Sequence, residues 1–132
     1  MLLAWPVAQA QTVWFTVVGE PANPAVNTVQ VDPTPVDSTD TTRTMRVRVN
    51  RSEVRTSWDG VPYRSYESDV LFDCRANTAR YLAIRYHLEP VWQGQPHRAV
   101  AYTTGTPRWM EFRQIEPNPT QRIVGAACGR VR

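Results

Sequence analysis

Apolar and polar positions alternate with a period of two along most of this chain, and only the last dozen residues carry apolar positions at helical spacing. From Thr44 to Arg51, Met45, Val47 and Val49 fall on one side and Arg46, Arg48 and Asn50 on the other, the pattern of a half-buried strand. Thr12 to Val18 and Asn27 to Val31 are rich in β-branched residues and predict two earlier strands, separated by a break at Gly19 to Pro24. Thr34 to Thr42 is polar and predicts an exposed loop. Arg51 to Trp58 continues as extended chain, and Asp59-Gly60 predicts a type I′ hairpin turn that returns Val61 to Ser68 antiparallel. Val70 to Cys74 is a compact apolar segment.

Further strands are predicted at Arg80 to Leu88, Arg98 to Thr103 and Trp109 to Ile115, with turns at Gln93–Pro96 and Gly105–Pro107. Alanine and arginine near Arg80 would also suit a helix, but the strict alternation of Leu82, Ile84, Tyr86 and Leu88 favours a strand. After Glu116-Pro117 the period changes. Asn118 caps a short helix with Pro119 in its first turn, Ile123, Ala126 and Ala127 form its apolar face, and Gly129 ends it. The pattern predicts an α+β domain, an antiparallel β-sheet with one C-terminal α-helix.

Composition narrows the chemistry. All 15 basic residues are arginine, which excludes Schiff-base chemistry on lysine and a P-loop. Met1 to Ala10 has a short apolar run and an Ala-Gln-Ala ending, read as the remnant of a signal peptide (residues 1–10) before a single domain over 11–132. No apolar run approaches the ~18–20 residues of a membrane span. Export makes a bond between Cys74 and Cys128 the simplest use of two cysteines, the alternative being two free buried thiols.

The basic character is local. Glu20, Asp32, Asp37 and Asp40 precede Arg43, Arg46, Arg48, Arg51 and Arg55, which face one acid, Glu53. Arg46 and Arg48 share a strand face, so the segment is a candidate stripe for a sulfated or acidic glycan, an acidic protein or lipid headgroups, with the acidic segment before it as a neutralising partner. The bland alternative is a solvated sheet face. Trp58, beside the turn, is a candidate exposed contact. His87, Glu89, His97 and Glu111 are the residues a hydrolase or metal site would need, but no spacing links them. No cofactor motif is present, and a net charge of +3 is too modest for a dedicated nucleic-acid binder.

Trp14, Val29-Gln30-Val31-Asp32, Tyr63-Arg64-Ser65, Phe72-Asp73-Cys74, Tyr86, Trp92-x-Gly94, Ile115-Glu116-Pro117-Asn118-Pro119 and Ala127-Cys128, in that order, resemble the surface-adhesin protein E-like family of Gram-negative bacteria. The resemblance implies a sheet of about six antiparallel strands with the helix held on one face by a Cys74–Cys128 disulfide. It also implies non-catalytic binding of host matrix and plasma proteins such as vitronectin and laminin, in some members as a homodimer. Three functions are therefore weighed: an exported binding domain of this type, a periplasmic accessory domain that binds another envelope protein, and, last, a small secreted hydrolase.

Overall fold

The computed structural model describes residues 12–129, so the signal-peptide remnant expected at 1–10 lies outside the described residues. The sheet is antiparallel throughout. Its strands are β1 (Phe15–Val18), β2 (Thr28–Val31), β3 (Asp37–Ser38), β4 (Thr42–Thr56), β5 (Pro62–Asp73), β6 (Thr78–His87), β7 (Arg98–Ala101) and β8 (Arg108–Trp109). Six of them run side by side in the order β1-β2-β4-β5-β6-β7, while β3 pairs with β4 and β8 with β6. Helix α1 (Thr120–Ala127) comes last. The α+β class expected from the alternation is observed, with eight strands rather than about six.

The two additional strands have a simple origin. Within the polar segment read as a loop, Asp37 and Ser38 pair with Thr44 and Arg43 and extend the edge of β4. β8 is the other, and it is all that remains of the strand expected over Trp109 to Ile115. Met110 still donates to the Ala79 carbonyl, and then the chain leaves the ladder. Met110, Phe112 and Ile115 are buried, and Gln114 has a φ of +61°. The alternation here records side chains anchored in the core, not a hydrogen-bonded strand.

One face of the sheet is the core face. Val29, Val31, Met45, Val47, Val49, Val70 and Phe72 are buried there beneath Ile123 and Val124 of α1. Asn118 accepts the Thr120 N–H at 3.0 Å just before the helix, and Gly129 closes it with φ +70°. The disulfide Cys74–Cys128 joins the end of β5 to the end of α1, 54 residues apart in sequence. Arg122 adds a second tie, donating to the Val17 carbonyl at 2.7 Å.

Two irregularities shape the end of the sheet at the β4–β5 hairpin. At the hairpin itself only Gly60 has positive φ, +77°, and its N–H donates to the Ser57 carbonyl. A type I′ turn needs positive φ at both central residues, so the expected Asp59-Gly60 I′ turn is replaced by a longer loop with Gly60 in the left-handed position. The second irregularity lies inside β4. Asn50 pairs with Ser65 and Arg55 with Tyr63, so β4 spends five steps where β5 spends two. Side chains from distant segments satisfy this bulge: Asn27 Oδ1 accepts the Ser52 N–H at 3.0 Å, and Arg64 Nε donates to the Arg51 carbonyl at 2.7 Å. Arg51, which follows Val49 on the core side of β4, stands at the start of this bulge and is 3% exposed.

Candidate functional site

The structure separates the five arginines of the expected stripe. Arg43 lies on the helix side and donates to the Ala127 carbonyl at 3.1 Å, a cation at a helix C-terminus. Arg46 and Arg48 share the opposite, open face of the sheet, as the alternation implied. Arg51, within the bulge, and Arg55, at its far end, line a cavity at one end of the core. Trp58 stands at the hairpin tip, 71% exposed, on the rim of the same cavity.

On the open face the charges are balanced by the neighbouring strand. Register places Arg46 opposite Asp69, and Arg48 opposite Glu67, which in turn faces Arg85. Arg85 pairs with Asp69 at 3.3 Å. Asp69 and Glu67 are thus the cross-strand neighbours of Arg46 and Arg48 on β5. Such exposed pairs each contribute at most about 1 kcal/mol.

Arg48 is further constrained. Its guanidinium carbon lies 4.2 Å from the ring centre of Trp14 and 4.0 Å from that of Trp92, and its Nε donates to Gln30 at 2.7 Å. Burial lowers its pKa, and Glu67 pulls in the other direction. Trp92 reaches this position from a short 3-10 turn, Pro90–Trp92, in which Val91 and Trp92 have φ of +48° and +60°. Such backbone costs about 1–3 kcal/mol per residue. It is held by Asn50 Oδ1 accepting the Val91 N–H at 2.8 Å and Ser65 Oγ accepting the Trp92 N–H at 3.0 Å. Arg48 is thereby a structural clamp between two indoles.

The cavity on the core side is about 150 Å³. Tyr63, Tyr66 and Tyr86 pack edge to face or tilted, with ring centres 5.3–5.9 Å apart, and Tyr81 joins Tyr66 at 5.9 Å. The Tyr66 and Tyr81 hydroxyls bond to each other in the interior. Burial pushes both hydroxyls well up from the ordinary value, so both are neutral at physiological pH. Arg51 donates through Nη2 to the Arg113 carbonyl at 2.6 Å, while its buried Nε has no hydrogen-bond partner among the described residues. Burial lowers the Arg51 pKa, opposed by the surrounding tyrosines. At the mouth, Arg55 donates to the Gln114 side chain and Arg108 stacks 4.9 Å from the Trp58 ring centre. Asp59, in the hairpin, accepts from Tyr86 at 3.3 Å and from Tyr102.

A family model described as surface-adhesin protein E matches residues 14–129. The chain belongs to the surface-adhesin protein E family. No curated protein and no solved structure matches it significantly. The match runs from Trp14 of the arginine clamp to Gly129 beyond α1, so it spans the whole sheet, the helix and the disulfide. The antiparallel sheet and the Cys74–Cys128 bond that membership in the protein E family implies are both observed.

The hydrolase candidates do not assemble. His87 pairs in register with Ser65 on β5 and is buried, whereas His97 is exposed and bonds the Pro62 carbonyl at 2.8 Å. Glu111 lies at the tyrosine cavity. Among the described residues no group of three or more His, Cys, Asp or Glu is placed to hold a metal ion. Neither the tyrosines nor Arg108 is among the site residues expected from the sequence. A signal was present: Arg51 shares the parity of Met45, Val47 and Val49, and Tyr66 lies opposite Val49 on that face.

Proposed function

We propose that this protein is a non-enzymatic, exported binding domain whose partner is an extracellular protein of the host matrix or plasma. The observation that carries this reading is the protein E family match over nearly all of the described chain. Among the described residues no helix is long and apolar enough to cross a membrane, which is compatible with export. The contact we favour is the hairpin tip. Trp58 is an exposed aromatic flanked by Arg108 and Arg55, and tryptophan and arginine are the residue types that dominate binding hot spots. The open-face arginines are poorer candidates, because Arg48 is clamped and Arg46 faces Asp69.

Immobilised vitronectin and laminin, probed with the purified mature chain, test the proposal. Saturable binding that survives physiological salt, about 0.15 M, supports it. Absence of binding to both, with capture of an envelope protein from the native host, would replace it with the periplasmic accessory reading.

A further inference from the structure

We propose that the tyrosine-lined cavity under the β4–β5 hairpin is a binding site for a small oxyanion, a carboxylate, sulfate or phosphate group. The site adjoins the partner surface proposed above, with Arg55, Trp58 and Arg108 at its mouth, but it does not rest on that reading and is tested on the isolated chain.

The donor inventory carries the argument. Arg51 is 3% exposed and lines the cavity. Its Nη2 is fixed on the Arg113 carbonyl, which holds the guanidinium in place, yet its Nε–H is buried with no acceptor among the described residues. Tyr66 and Tyr81 contribute two hydroxyl protons, and one bond between them uses only one. A second buried donor is therefore left over on the same lining. A buried donor without an acceptor is destabilising, and one that meets an anion makes the stronger kind of hydrogen bond.

Charge selects the sign of the ligand. Arg51, Arg55 and Arg108 line the cavity, and Glu111, its one acid, is exposed. Neutral tyrosines offer donors without adding negative charge. A cation meets repulsion here, and a neutral carbonyl satisfies the donors but gains nothing from the arginines. Size agrees: a volume near 150 Å³ corresponds to roughly five water molecules at ~30 Å³ each, which is room for acetate, sulfate or phosphate. The bulge interrupts the β4 ladder between Asn50 and Arg55 beside the site, and Arg51, next after Asn50, lies on the core side of β4 with the tyrosines.

The test monitors the Arg51 Nε–Hε resonance of the ¹⁵N-labelled full chain during titration with sodium acetate, sulfate and phosphate, at constant ionic strength. Chloride and acetamide are the controls. The expected result is a saturable shift of that resonance with at least one oxyanion and with neither control. Arg108→Ala, at the mouth, should weaken the dissociation constant about tenfold while the chain remains folded by circular dichroism. Tyr66→Phe or Tyr81→Phe alone leaves one free hydroxyl proton and should keep affinity within about threefold, whereas the double substitution should weaken it about tenfold, the scale of one hydrogen bond to a charged group. No saturable shift with any oxyanion, or the same shift with chloride, would overturn the proposal and leave water as the acceptor of these donors.

Discussion

The guanidinium of Arg48 lies face-on to the indole of Trp92, 4.0 Å from its ring centre, and this contact joins the 3-10 turn to the middle of the sheet. Trp14 closes the other side at 4.2 Å. Each desolvated cation–π contact is worth about 0.5–2 kcal/mol, and the Nε bond to Gln30 adds about 1 kcal/mol. Arg48→Ala is therefore expected to cost roughly 2–4 kcal/mol in urea unfolding. Arg48→Lys should recover less than half of that, because an ammonium neither lies flat between two rings nor donates sideways to Gln30. Equal stability of the Lys variant and the wild type would show that charge alone, and not the planar fork, holds the turn.

The alternation of Met45, Val47 and Val49 was legible because each records a local fact, one side of a strand facing a core. Ile84 and Tyr86 were legible for the same reason within β6, observed at Thr78–His87, whereas Leu88 lies past its end and is exposed. The helix was legible from Asn118, Pro119 and Gly129, which act on their own neighbours, with Pro119 rather than Asn118 at the N-cap itself. The path of the chain beyond Asn50 was not. The bulge depends on Asn27 and Arg64, which lie far from it in sequence and show no periodic signature. Alternation itself puts Arg51 on the side of Met45, Val47 and Val49, where it is buried; grouping the five arginines by their nearness in sequence overlooked that parity. Arg48 failed for a different reason: its indole partners come from opposite sides along the chain, so nothing adjacent to it distinguishes a clamp from a solvated charge.

Cys74 and Cys128 close a loop whose ends are 54 residues apart. In the chain-entropy account such a loop is worth about 4 kcal/mol, a large fraction of the ~5–15 kcal/mol that stabilises a domain. Cys74→Ser with Cys128→Ser should lower stability by up to this amount. The loss should be concentrated at α1, whose remaining polar ties are single hydrogen bonds from Arg43, Arg122, Gln121 and Thr120. Hydrogen exchange checks the location: amides of Ile123 and Val124 should lose protection before those of Val47 and Val49. Uniform loss across both sets would mean that the helix and sheet unfold as one unit.

All five tyrosines, Tyr63, Tyr66, Tyr81, Tyr86 and Tyr102, have hydroxyls whose pKa is raised, in each case chiefly by burial. A folded pKa above the unfolded value of about 10 means that the unfolded chain loses these protons first. The associated stability is complete below about pH 10 and declines as pH rises through and beyond that value. Phenolate absorbance should therefore stay low at about pH 10–11 and rise together with loss of circular dichroism. Stepwise ionisation of a folded chain near the unperturbed value would contradict this. Tyr66→Phe with Tyr81→Phe should move the alkaline midpoint upward, because two groups that oppose folding at high pH are gone.

Trp58 is the sharpest test of where the partner binds. It is 71% exposed, and its described ring contact is the exposed-face stacking of Arg108, so its removal takes little from the fold. Trp58→Ala should change unfolding free energy by about 0.5 kcal/mol or less, as surface substitutions do. A hot-spot tryptophan contributes at least ~2 kcal/mol to binding, so affinity for the matrix or plasma partner should fall about thirtyfold. Phe15→Ala is the matched control, an exposed aromatic (42%) on edge strand β1, at the far side of the sheet order from β7. It should leave binding unchanged. If both variants bind like the wild type, the contact lies away from the hairpin. If Phe15→Ala alone is impaired, the edge of β1 is the docking surface, and the Trp58–Arg108 stack serves only to cover the mouth of the tyrosine cavity.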